Sequence, residues 1–265
     1  PPLELKSMFT DSVMPRLQQK CGQVFYSETV KIVGPGESSV ETQILDMLNT
    51  QENPTIAPYA KTGEVHLRVT ARAKDEKEAK EKTAPVVEEL YRRFGNAVYT
   101  TDADETLEMA LTKLLMKKKY TMTTAESCTG GMIAARMVNA PGVSAVLKSG
   151  FIAYANEAKE ELLGVSHDTL EKFGAVSRET AEEMAEGAAK AAHTDTAVAV
   201  TGIAGPDGGT KEKPVGLVYI GVNVRGNVEV REYHFSGSRQ KIRESVTAAA
   251  LTFLREKLLD TRERG

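Results

Sequence analysis

The chain has 265 residues, enough for one large or two ordinary domains whose core needs no disulfide or metal. Hydrophobic residues make up 41% and charged residues 27%, an ordinary globular composition. The net charge is −3, and the parts before and after residue 102 are balanced, with 13 basic against 15 acidic residues and 21 against 22. That balance removes the electrostatic case for nucleic acid or an anionic membrane as partner.

Cys21 and Cys128 form neither a disulfide framework nor a metal pattern, and His66, His167, His193 and His234 make no HxxxH or HxH pair. No metal or other cofactor is expected. The sequence shows no signal peptide and no apolar run of membrane-spanning length, so a cytoplasmic location is the default expectation. The opening Pro1-Pro2 without Met suggests a truncated or processed start, with sequence missing upstream.

Residues 3–20 read as an amphipathic helix, with Leu3, Leu5, Met8, Phe9, Val13, Met14 and Leu17 at helical spacing and Pro15 as a kink or split. Val24–Val33 is rich in β-branched and aromatic residues and predicts a strand. Gly34-Pro35-Gly36 breaks it, and Ser38 or Ser39 is expected to cap a helix through Ile44, Leu45 and Leu48. Thr55–Ala73 predicts a hairpin turning at Lys61-Thr-Gly63, with Val65, Leu67, Val69 and Ala71 on one face. Asp75–Phe94 predicts a charged helix with Ala79, Val86, Val87, Leu90 and Tyr91 inward, divided at Pro85. Residues 1–100 are thus a small α+β domain without a catalytic constellation. Gly34-Pro35-Gly36-Glu37 is similar to the glycine loop of RNA-binding KH domains, but a proline and a glutamate are poor donors to phosphate, so nucleic acid is not the expected partner. Thr100–Asp104 is the expected linker.

Beyond it, Thr106–Lys118 predicts a helix with Leu107, Ala110, Leu111, Leu114 and Leu115 inward. A strand over Tyr120–Thr124 leads into Ala125–Gly131, then a helix from Met132 closed by Ala140-Pro-Gly142. Val146–Ala155 predicts a strand, Asn156–Leu163 a short helix, and Arg178–Ala192 a helix capped by Ser177. Thr196–Thr201 predicts a buried strand, Val215–Val224 and Val228–Phe235 a hairpin, and Gln240–Leu259 a closing helix. Strands alternating with helices give an α/β domain over 104–265 with a mainly parallel sheet.

Ser127 and Thr129 fall where a strand gives way to a helix, and Gly130 and Gly131 leave the backbone open to a ligand. Ser127 is either an N-cap or a nucleophile beside a ready oxyanion site; on local grounds caps are far commoner. The stretch has no GxSxG elbow, no SxxK and no evident histidine partner, so a nucleophilic serine needs another base. Tyr154 and Lys159 flank a second junction of strand end and helix start, where side chains distant in sequence gather; the alternative is that Tyr154 packs inward and Lys159 is solvated. Cys128 is a rival nucleophile, ranked behind Ser127 because such a cysteine is more often a small buried hydrophobe. Gly202–Gly209 matches neither GxxxxGK[ST] nor GxGxxG, yet it follows a strand and brings backbone N–H groups within reach of a ligand; a plain glycine turn serves as well. Arg239 at a helix start offers a donor fork to a phosphate, or is an ordinary surface arginine.

Taken together, Thr124-Ala-Glu-Ser-Cys-Thr-Gly-Gly131, Gly150-Phe-Ile-Ala-Tyr-Ala-Asn-Glu-Ala-Lys159, Gly174-Ala-Val-Ser177, Thr201–Gly209, Lys213-Pro-Val-Gly216 and Phe235-Ser-Gly-Ser-Arg239 resemble the CinA family (competence/damage-inducible proteins), whose C-terminal part is similar to nicotinamide-nucleotide amidases. Residues 1–100 resemble, more weakly, the family's KH-type middle domain; its molybdopterin-binding-like N-terminal domain and any pyrophosphatase activity there are not expected in this chain. The resemblance implies hydrolysis of nicotinamide mononucleotide to nicotinate mononucleotide and ammonia without a cofactor. It carries Ser127 over as nucleophile with Tyr154 and Lys159 as the proton-handling pair, and Thr201 and Arg239 as ligand-binding positions. Thr129, Gly130, Gly131, Gly202 and Gly205 complete the expected substrate site, with the backbone at Cys128–Gly131 stabilising the oxyanion. The expected partners are a small-molecule nucleotide and further copies of the chain, a dimer being favoured, with no membrane and no nucleic acid.

Overall fold

A computed structural model describes residues 2–261, apart from the side chains of Pro2, Leu3 and Gln18–Cys21, so the expectations for Leu3 and Cys21 lie outside the described residues. The chain divides between Asp104 and Glu105 into two units.

In the first unit the opening helical run is α1 (Pro2–Met8), a π turn (Phe9–Val13) and α2 (Met14–Cys21). Pro15 stands in the first turn of α2, where its missing N–H is not needed. The stripe of Leu5, Met8, Phe9, Val13, Met14 and Leu17 is exposed. Then come β1 (Val24–Val33), α3 (Glu37–Gln43), α4 (Leu45–Thr50), β2 (Thr55–Lys61), β3 (Glu64–Ala73), α5 (Glu76–Phe94) and β4 (Val98–Thr100). The strands form an antiparallel sheet in the order β2-β3-β1-β4. Val30, Ile32, Val65, Leu67 and Val69 pack with Val40, Ile44, Val87, Leu90 and Phe94 from the helices.

Three expectations are corrected. α3 starts at Glu37 with Gly36 as N-cap, so Ser38 and Ser39 are already inside the helix and cap nothing. Pro85 does not divide α5, because Ala79, Thr83, Val87, Leu90 and Phe94 are buried on both sides of it and packing outweighs one missing hydrogen bond. That same stripe leaves Tyr91 to one side and 41% exposed.

The second unit runs α6 (Leu107–Lys118), β5 (Met122–Glu126), α7 (Met132–Met137), β6 (Leu147–Ile152), α8 (Asn156–Leu163), α9 (His167–Phe173), α10 (Arg178–Ala192), β7 (Thr196–Gly202), β8 (Leu217–Val224), β9 (Asn227–His234) and α11 (Arg239–Asp260). Its sheet is ordered β6-β5-β7-β8-β9. β6, β5 and β7 are parallel, and the β8–β9 hairpin continues the sheet antiparallel. β5 and β7 are buried through almost their whole length, as strands covered on both faces must be. On one face Met184, Ala185 and Ala188 of α10 meet Ala125, Ala197 and Ala199. α6, α7 and α11 pack together, and α11 also packs on β7 and β8. α10 approaches the end of α8 so closely at Gly187 that a Cβ there would lie 1.7 Å from the Leu163 carbonyl oxygen. Among the described residues no helix is long and apolar enough to cross a membrane.

Candidate active site

β5 ends at Glu126, and α7 begins five residues beyond Ser127. The Ser127 N–H still donates to Val200 of β7 (3.0 Å), and the chain then turns as Gly130 N–H donates to the Ser127 carbonyl (3.1 Å). Ser127 is not the helix cap. Gly131 is, with a φ of +93° that favours glycine. The carboxylate of Glu126, fully buried, accepts from the N–H groups of Gly131 (3.0 Å), Ile133 (3.0 Å) and Ala134 (2.9 Å). A carboxylate is tolerated at that depth because these donors and the positive helix end compensate its lost hydration. The anion site expected at the start of α7 is therefore filled by the protein's own carboxylate.

What remains open lies one step earlier. The carbonyls of Cys128 and Thr129 accept from Nε (3.1 Å) and Nη2 (2.6 Å) of Arg243. The N–H groups of Cys128 and Thr129 have no acceptor in another of the described residues, and neither has the Ser127 hydroxyl. The buried Thr129 hydroxyl is also without a hydrogen-bond partner. Of the N–H groups over Cys128–Gly131, those of Gly130 and Gly131 are thus committed within the protein, and those of Cys128 and Thr129 are not. Burial pushes the Cys128 thiol up to about 11, which leaves it protonated and inert near neutrality.

Lys159 is 1% exposed. Its side chain folds back over the start of α8, where Nζ donates to the carbonyls of Ala153 (3.0 Å) and Tyr154 (3.1 Å), with Ala155 at 3.5 Å. No carboxylate ion-pairs with it among the described residues. Burial lowers its pKa from the usual lysine range, against smaller raising effects from Cys128 and Glu157. The Ala153 N–H donates in turn to the Glu126 carbonyl (2.9 Å), which ties the lysine's anchor to the residue preceding Ser127.

Tyr154 does not pack inward; it is 59% exposed, and its phenol accepts from Arg239 Nη2 (3.2 Å) rather than bonding Lys159. Arg239 Nη1 also donates to the Gly205 carbonyl (2.7 Å), so the end of β6, the glycine-rich loop and the start of α11 meet at one point. Thr201 is placed differently from its expected ligand role: its buried hydroxyl donates to the Ala175 carbonyl (2.6 Å). Gly202 and Gly205 answer to packing, since a Cβ on either would lie 2.6 Å from a methyl of Val218 or Val215. Sequence reasoning missed two residues. Arg243 stands one helical turn after Arg239, the only local signal for it. Glu126 sits five residues before the cap it satisfies, outside the usual capping spacing.

The sequence model described as the CinA C-terminal domain matches residues 104–258, and that described as the damage-inducible protein CinA KH domain matches residues 27–100. The chain belongs to the CinA family. It is 49% identical over 259 residues to a putative competence-damage inducible protein of Clostridium novyi, covering 98% of this chain and 62% of that protein. It is 51% identical over 259 residues to the one of Clostridium beijerinckii, at 98% and 63%. The chain thus spans less than two thirds of the length of these relatives. Among solved structures, the competence/damage inducible protein CihA from Agrobacterium tumefaciens aligns with a TM-score of 0.55 at 42% identity, covering 60% of this chain and 99% of that one. A CinA superfamily protein from Klebsiella pneumoniae aligns with a TM-score of 0.57 at 34% identity, covering 58% and 97%. The CinA C-terminal match contains Ser127, Tyr154, Lys159, Arg239 and Arg243.

Proposed function

We propose that the CinA C-terminal unit is a metal-independent amidohydrolase that releases ammonia from the carboxamide of nicotinamide mononucleotide. One observation carries the reading: a buried lysine without a carboxylate partner is anchored beside a loop that leaves a serine hydroxyl and two adjacent N–H groups uncommitted. A lysine whose pKa is lowered by burial has a neutral fraction able to accept a proton. In the proposed reaction the Ser127 oxygen bonds to the carboxamide carbon while its proton passes to Lys159. The N–H groups of Cys128 and Thr129 hold the resulting oxyanion. Collapse breaks the C–N bond, and the nitrogen leaves as ammonia with the proton returned from Lys159. Water then attacks the acyl-enzyme by the same route, frees nicotinate mononucleotide and restores the serine. Tyr154, at the rim with Arg239, relays protons to the leaving nitrogen, and Arg239 holds the phosphate end of the substrate.

The experiment is ammonia release from nicotinamide mononucleotide by wild type, Ser127→Ala and Lys159→Met, with calorimetry of the same ligand. Turnover by wild type and its loss in Ser127→Ala, with binding retained, is the expected result. Full activity in Ser127→Ala removes the nucleophile; binding by wild type without turnover leaves a nucleotide-binding protein and no enzyme.

A further inference from the structure

The peptide units after Ser127 are held from one side by a single residue. A trans peptide points its C=O and its N–H in opposite directions. Arg243 Nε holds the Cys128 carbonyl, so the Thr129 N–H points away from the guanidinium. Arg243 Nη2 holds the Thr129 carbonyl, so the Gly130 N–H also points away, and it closes the turn on the Ser127 carbonyl at 3.1 Å. That turn carbonyl fixes the next peptide in turn, and the Cys128 N–H faces opposite to it. The other backbone N–H groups from Ser127 to the cap of α7 are spoken for. The Glu126 carbonyl takes the Ala153 N–H, the Ser127 N–H goes to Val200, and the Gly131 N–H goes to Glu126. The two donors left over are the two whose direction Arg243 sets, one directly and one through the turn.

We infer that Arg243 is a positioning residue: from α11 it grips two successive carbonyls of the serine loop and thereby aims the Cys128 and Thr129 N–H groups as an oxyanion hole, polarising the Thr129 N–H directly. The grip is charge-assisted on both arms, and a cation drawing on a carbonyl makes the N–H of the same peptide a stronger donor. A lysine can satisfy one of the two carbonyls but lacks the planar fork that spans both. Gly130 suits this turn through its φ of +60°, which favours glycine; a Cβ there would stand in ordinary contact, 3.4 Å, with the Arg243 Nη2. The catalytic meaning of the inference rests on the proposed amidase reading; its geometric content does not.

The test is Arg243→Met and Arg243→Lys, read as kcat and KM for ammonia release, with crystal structures of wild type and the methionine variant in one crystal form. Removing an aimed oxyanion donor costs about 100-fold or more in kcat, so Arg243→Met is expected to lose that much, with KM within about threefold and Arg243→Lys in between. If the methionine variant does not fold, the lysine variant carries the same comparison. A raised KM with kcat retained makes Arg243 a substrate contact and overturns the inference; so does unchanged kcat. If wild type hydrolyses no amide, the amidase reading alone falls, and the crystals decide: a turned Cys128–Thr129 peptide supports the positioning role, and identical peptide planes in both proteins overturn it.

Discussion

Replacing Glu126 by alanine separates the two readings of the serine loop. The variant strands three N–H groups at the start of α7, those of Gly131, Ile133 and Ala134, in a place where Glu126 itself is wholly buried. Each lost bond is worth about 1 kcal/mol net, more to a charged acceptor, offset by the desolvation of a carboxylate no longer buried, for a total of about 3 kcal/mol. In a unit of this size about 3 kcal/mol lowers the melting temperature by roughly 6–12 °C. Glu126→Gln keeps one acceptor oxygen but sets its amide against the N–H of Ala134, and falls in between. Ser127→Ala is the control. An N-cap serine is worth about 1 kcal/mol, whereas a serine that caps nothing changes stability by less than about 0.5 kcal/mol. Calorimetry of the full chain reads both. A Glu126→Ala midpoint within about 2 °C of wild type refutes the capping assignment, and so does a Ser127→Ala loss as large as that of a true cap.

The lysine and the helix contact give two further expectations. The lowered pKa of Lys159 means that the unfolded chain binds a proton the folded one resists between that lowered value and 10.5. The resulting penalty is absent above 10.5 and grows as pH falls toward the folded value, so stability rises with pH across that window, and Lys159→Met flattens the rise in pH-dependent urea denaturation. In the proposed reaction the same neutral amine is the base, so kcat/KM is expected to climb with pH to a plateau set by Lys159; a flat profile refutes the role. Gly187→Ala inverts the usual helix rule: an open helix gains about 1 kcal/mol from that exchange. Here the new Cβ meets the Leu163 carbonyl at 1.7 Å, and the expected outcome is a loss of about 2–3 kcal/mol on thermal melting. A neutral or stabilising result refutes the packing of α8 on α10.

Much of the architecture was legible because its causes are local. The β-branched run from Val24 to Val33 is β1 to the residue, and Ser177 accepts from the Thr180 N–H as a cap should. The alternation over Val65–Ala71 gives the buried face of β3. The failures share the opposite property. Pro85 stays inside α5 because of tertiary burial on both flanks, which propensity does not register. The cap of α7 comes from a strand residue reaching past a loop, so the serine, which looked like the cap, is released from that duty. At the candidate site, the placement of Ser127 and Tyr154 at strand ends followed from pattern alone. Lys159 bending back onto carbonyls that precede it, Tyr154 meeting Arg239, and Arg243 gripping a loop 114 residues earlier depend on the finished fold.

Ala153 joins the two halves of the candidate site entirely through its peptide atoms, giving its hydrogen to Glu126 and taking one from Lys159. Its buried methyl takes no part in that exchange, so a side-chain substitution there reports on core packing and not on the exchange. Only chemistry that alters the chain itself reaches the junction: an ester in place of the amide at position 153 deletes the hydrogen offered to Glu126, and one in place of the amide at position 154 weakens the oxygen offered to Lys159. Semisynthesis, rather than codon exchange, is the instrument this part of the molecule calls for.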